Sequence, residues 1–117
     1  MEITLDMSKG ALIIAKKVFS GELTRSEGKI EINKRTGMNE GSAQDFITIF
    51  LAMMSGKVYK RTFNNVTNKF LLESIRQEFG DESYRKALNA VQQHIEYYST
   101  LGKGNLTGLQ QIINQMK

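Results

Sequence analysis

The chain has no cysteine, no proline and only one histidine. Without cysteine there can be no disulfide and no thiolate metal site, which suits a reducing compartment, and a cytoplasmic location is expected. One histidine without cysteine cannot assemble the common zinc or HNH-type metal sites, so no metal is assigned. Without proline, every helix end has to be set by Gly, Asn, Ser, Thr or Asp. There is no apolar run long enough to span a membrane and no signal-peptide pattern, so no membrane partner is expected. Linkers, low-complexity tracts and internal repeats are also missing. No paired carboxylate or activated nucleophile is visible. An enzyme therefore ranks last among the function classes, with no catalytic residue and no cofactor.

The 117 residues are 40% hydrophobic, enough for one domain with a modest core. Sixteen Lys and Arg against twelve Asp and Glu give a net charge of +4. That balance permits nucleic-acid binding without requiring it, and a solvated surface with a mild lysine excess explains it equally well.

The stretch from Leu23 to Met54 reads as a helix, a glycine turn and a second, strongly apolar helix. Thr24 and Glu27 have the spacing of a capping box before a helix over 25–36. Gly37 stands where a left-handed residue would stop that helix. Asn39 offers the next N-cap, with Ser42 and Asp45 as a competing capping box one turn later. Ala43, Phe46, Ile47, Phe50, Met53 and Met54 form the core face of a helix over 40–54, widened by Ile49 and Leu51. Gly28, costly inside a helix by about 1 kcal/mol, is explained by a close helix crossing.

Elsewhere, 1–6 reads as an irregular lead-in and 7–19 as a helix capped by Asp6 or Ser8, with Ala11, Ile14, Ala15, Val18 and Phe19 inward. A helix over 65–79 turns Val66, Phe70, Leu71, Ile75 and Phe79 inward and stops at Gly80. Asp81 caps a helix over 82–100 with the stripe Tyr84, Ala87, Leu88, Val91, Ile95 and Tyr98. Gly102 and Gly104 make a turn rather than a phosphate cradle, since no strand precedes them and the Walker spacing is absent. A last helix covers 106–116. The expected fold is an all-α single domain of five or six helices containing a helix-turn-helix-like hairpin.

Two stretches carry candidate chemistry. The hairpin around Gly37 would place Asn39, Ser42 and Gln44 toward a DNA groove, where Gln44 could read adenine. Asn33 and the acids Glu40 and Asp45 count against it. An ordinary αα-hairpin is the first reading, groove insertion the second and a partner-binding hairpin the third. The segment 57–62 offers Lys57, Lys60 and Arg61, the hydroxyl of Thr62, and Tyr59 as a stacking surface, which is the chemistry of a phosphate contact. A solvated loop whose lysines deter aggregation is the equal alternative. His94 reads first as a histidine bonded to a neighbouring helix and second as a lone general base. Of Tyr97 and Tyr98, at least one should be partly exposed.

The runs SGELTRSEG, TGMNEGSAQDFI, MMSGKVYKRT and VQQHIEYYSTLGKGNL resemble a small helical domain at the N-terminus of some bacterial and prophage HNH endonucleases of the modified-DNA restriction type. The resemblance covers about Ala11 to Ile112. GMNxxSA, YKRT and HIxYY are its most specific parts. It implies a recognition or accessory module whose chemistry is done by a separate HNH domain, which this chain does not contain. It nominates Asn39, Ser42, Tyr59, Lys60, Arg61, Thr62, His94, Tyr97 and Tyr98. The expected function is therefore a non-enzymatic nucleic-acid-binding or recognition module of a restriction, phage-defence or prophage system, with DNA and a larger nuclease as partners. The alternative is a protein-interaction module: a homodimer, an adaptor, or a small inhibitor docking on a larger nucleic-acid enzyme. The wide apolar arc of helix 40–54 and the Met and Tyr content speak for it.

Overall fold

The structure, a computed structural model, describes residues 2–117. It is all-helical: α1 (Leu5–Phe19), α2 (Arg25–Thr36), α3 (Glu40–Ser55), α4 (Asn65–Phe79), α5 (Asp81–Ser99) and α6 (Thr107–Met116). The residues group into two compact units, Met1–Leu51 and Ala52–Lys117, divided inside α3, where sequence length suggests one domain.

In the first unit, helix ends follow local chemistry. Thr24 Oγ1 accepts from the Glu27 backbone N–H at 3.1 Å, and the Glu27 carboxylate accepts from the Thr24 N–H at 2.9 Å, completing the capping box. Hydrogen bonding to the carboxylate from the Thr24 backbone N–H first, and from the Thr24 side chain second, holds the Glu27 carboxyl below its ordinary pKa. Gly37 ends α2 at φ 79°, a left-handed conformation that a Cβ would strain. Asn39 Oδ1 accepts from the Ser42 N–H at 2.7 Å, so Asn39 starts α3 and the Ser42–Asp45 box is not used. α1 begins earlier than its periodicity suggests. Thr4, not Asp6 or Ser8, is the cap, accepting from the Met7 N–H at 3.1 Å.

α2 packs on α1, and Gly28 sits at a close approach between them. A Cβ built there would lie 2.6 Å from Val18 Cγ2 and 3.0 Å from Ile47 Cδ1. The buried residues of this unit include Ala11, Ile14, Ala15, Ile32, Met38, Ala43, Phe46, Ile47 and Phe50. Phe19, expected inward, is 45% exposed; its ring meets Phe50 edge-on at 6.1 Å. The apolar arc of α3 is consumed inside the protein, since Ile49, Met53 and Met54 are buried as well. It is therefore not an open contact surface.

In the second unit α4 packs on α5, and α6 packs on both. Leu71, Leu72, Ile75, Ala87, Val91, Leu109 and Ile113 form the buried centre. Polar ties fix α6: the Tyr84 hydroxyl donates to the Met116 carbonyl at 2.7 Å, and Gln92 and Gln110 exchange two amide bonds. Burial raises the pKa of the Tyr84 phenol, so it remains a donor. α4 is rotated from the expected face. Thr67, Asn68, Leu71, Leu72 and Ile75 are buried, while Val66 is 61% exposed and Phe79 also lies outward. Asp81 is not the cap of α5. Gly80 holds that position, and the Asp81 carboxylate pairs with Arg76 at 3.6 Å.

Candidate nucleic-acid interface

Charge is divided unevenly along the chain. Residues 52–117 hold nine Lys and Arg against five Asp and Glu, whereas residues 1–51 hold seven of each. The net +4 thus resides in the second unit. Its most basic part is the run 52–72, which has no acidic residue and contains Lys57, Lys60, Arg61 and Lys69.

The loop between α3 and α4 is fastened at several points. At its start, the Gln93 amide of α5 donates to the Gly56 carbonyl at 2.9 Å. At its end, Asn64 Oδ1 caps α4 by accepting from the Thr67 N–H at 2.7 Å. Between them, Tyr59 turns inward with 2% exposure, and its hydroxyl donates to Asn68 Oδ1 at 3.1 Å. Asn68 Nδ2 donates back to the carbonyls of Phe63 at 3.2 Å and Asn64 at 3.1 Å. A buried amide is costly unless its donors and acceptor are matched, and here both ends of Asn68 are used.

His94, fully buried on α5, is the second fastening. Its Nδ1 lies 2.6 Å from the Tyr59 carbonyl, and its Nε2 lies 3.2 Å from Thr62 Oγ1. Its ring stacks on Tyr59 with centroids 4.3 Å apart and planes 15° from parallel, and Tyr98 sits tilted at 6.4 Å. Burial pushes the imidazole pKa down, opposed by the hydrogen bond to the Tyr59 carbonyl, which pushes it up. Burial also raises the pKa of the Tyr59 phenol, so the hydroxyl stays a donor to Asn68.

These contacts leave Lys57, Lys60 and Arg61 on the exposed side of the loop. The Lys60 ammonium lies over the Tyr97 ring at 5.6 Å. Tyr97 and Tyr98 are both half-buried. Tyr59 is therefore not a stacking surface for bases: its ring faces His94, and its role is to hold the loop. Thr62, though exposed as a residue, spends its hydroxyl on His94.

The other nominated residues lie in the first unit. Asn39 is committed to the α3 cap, with Ser42 giving its backbone N–H to it, and Gln44 is exposed. Thr48, on the same helix, accepts from the Arg25 guanidinium. Asn33 bridges the turn by donating to the Met38 carbonyl at 2.9 Å.

From the sequence Asn64, Asn65 and Asn68 read as polar donors beside the basic segment; the structure instead buries Asn68 and spends its amide on the loop. The signal for that burial was present, because 68, 71, 72 and 75 share helical spacing and place an asparagine on the apolar stripe of α4. No group of three or more His, Cys, Asp or Glu able to hold a metal occurs among the described residues. None of their helices is long and apolar enough to cross a membrane. Compared with family models, with curated proteins and with solved structures, the chain matches none.

Proposed function

We propose that this protein is a non-enzymatic nucleic-acid-binding module whose basic loop, residues 57–62, grips the phosphate backbone. The observation that carries the reading is the fastened loop. Two buried side chains, His94 and Asn68, hold it by its backbone and inner side chains, while Lys57, Lys60 and Arg61 lie on its exposed side. Mobile lysines lose conformational freedom when they bind. Cations on a pre-ordered loop lose less, so more of the electrostatic attraction appears as affinity. The acid-free run around the loop adds a local field that attracts anions. The resemblance to helical domains of modified-DNA endonucleases points the same way, and a restriction or prophage setting is part of this proposal.

The test is a duplex-binding series at low and physiological salt, with plain and base-modified DNA. Binding should weaken as salt rises, because neutralised phosphates release counterions. Changing Lys60→Glu and Arg61→Glu together should flatten the salt slope by about two units, one per lost contact, and leave the melting temperature near wild type. Absence of binding at the lowest salt removes the reading.

A protein-interaction module is the second reading. It rests on Leu5, Ile13, Phe19 and Ile30, large apolar side chains of the first unit that are exposed. Light scattering that shows a salt-insensitive dimer, lost on Ile13→Asp, would favour it.

A further inference from the structure

Lys60 and Arg61 are adjacent in the chain, and the residues on either side of them, Tyr59 and Thr62, are the two that bond to His94. One imidazole thus clamps both ends of the basic pair. A carbonyl oxygen only accepts hydrogen bonds, so the Nδ1 that meets the Tyr59 carbonyl carries the proton. In the neutral ring Nε2 is then a lone pair, which accepts from the Thr62 hydroxyl. Both ring nitrogens are satisfied in this tautomer, and the Tyr59 ring stacked on the imidazole fixes its plane.

We propose that neutral His94 is the positioning residue of the phosphate-gripping loop, and that its protonation releases Lys60 and Arg61 and weakens the grip. This rests on the nucleic-acid reading above. A proton on Nε2 removes the acceptor that the Thr62 hydroxyl uses, so that hydroxyl has to turn away or reverse its role. It also places a cation in a fully buried position. The charged and titratable groups of the loop, and those within four residues of Asn68 on α4 and of His94 on α5, do not offset it: Lys57, Tyr59, Lys60 and Arg61 lie on the loop, Lys69 on α4, and Glu96, Tyr97 and Tyr98 on α5, while α6 carries no charged residue. Four of these are cations, and both ring nitrogens bond to neutral groups. Burial already favours the neutral form.

The direction is diagnostic. A cationic surface ordinarily binds DNA more tightly as pH falls, because protein positive charge grows. A loop held by neutral His94 should do the opposite across the imidazole range.

The experiment measures two things on the full chain at about pH 7.5 and at an acid pH low enough that the NMR titration of the His94 ring shows it protonated, since burial lowers its folded pKa. One is backbone order of residues 59–63 by 15N relaxation. The other is affinity for a short DNA duplex over a salt series. Wild type should show an ordered loop at the higher pH and a mobile one at the lower. Affinity should fall about tenfold, and the salt slope should flatten by about two units, on acidification. His94→Phe keeps a planar ring but neither hydrogen bond, and it should be mobile and weak at both pH values while its far-ultraviolet circular dichroism stays helical. His94→Asn keeps a donor for the Tyr59 carbonyl and cannot titrate; it should restore much of the affinity and remove the pH dependence. A loop still ordered at the lower pH, or a folded His94→Phe with wild-type affinity and slope, overturns the proposal. If neither variant folds, the wild-type pair of pH values still decides. If wild type binds no duplex at any salt, the nucleic-acid reading fails, and loop order alone decides whether His94 positions the loop.

Discussion

The imidazole of His94 and the phenol ring of Tyr59 lie face to face, 4.3 Å apart, and the same imidazole meets the Tyr59 carbonyl at 2.6 Å. Residues 35 positions apart are thereby joined twice. The pair ties an otherwise irregular basic segment to α5.

Tyr59→Phe keeps the stack and removes one hydroxyl. Asn68 Oδ1 would then be buried without its donor, the expensive way to lose a hydrogen bond. The expected cost is about 1–3 kcal/mol in chemical denaturation. An unchanged midpoint would show that the Tyr59–Asn68 bond does not hold the loop.

Stability should depend on pH through His94. Its folded pKa is lowered, by burial first, below the ordinary imidazole value. The unfolded chain therefore takes up its proton first as pH falls through about 6.5. The histidine contribution is fully present above that value and declines as pH falls toward the folded pKa. Melting temperatures measured from about pH 7.5 down to 5.5 should drop for wild type and stay flatter for His94→Asn. Equal profiles would mean that the buried ring costs nothing to protonate.

Gly28→Ala sets two effects against each other. Alanine gains about 1 kcal/mol of helix propensity over glycine. Its methyl group would sit 2.6 Å from Val18 Cγ2 and 3.0 Å from Ile47 Cδ1, where branched side chains have little room to yield. Overpacking of this kind costs about 1–3 kcal/mol, so the variant should be less stable than wild type. A raised melting temperature would show that the crossing of α1 and α2 can open.

Ser8→Ala should stabilise the protein. Ser8 is buried in α1, and its Oγ has no hydrogen-bond partner among the described residues. Removing the hydroxyl takes away an unmatched polar group and adds about 0.5 kcal/mol of helix propensity. A gain of about 0.5–1.5 kcal/mol is expected in denaturant unfolding. A loss would mean that the hydroxyl is bonded in solution.

Local chemistry was legible in the chain itself. The Thr24–Glu27 capping box, the Gly37 stop and the Asn39 cap depend on neighbours within four residues, so the order of side chains suffices to set them. For the same reason α2 and α4 run over the residues expected from the sequence, 25–36 and 65–79, each stopped by a glycine. Gly28 betrayed a close crossing because a glycine in a helix has to be compensated by packing.

Faces and loops were decided by the tertiary structure. Val66 and Asn68 compete for the inside of α4, and hydropathy alone selects the valine. The fold selects the asparagine, because three loop groups, the Tyr59 hydroxyl and the carbonyls of Phe63 and Asn64, need its amide. Tyr59 looked like an exposed aromatic because it stands between cations in a segment without helical period. Its burial depends on His94, which is adjacent only after α5 has folded back against the loop. A pattern of period 3.6 reports which residues share a stripe. It carries no information about hydrogen-bond partners 32 and 35 residues away, and those partners determine which side of the basic loop faces water.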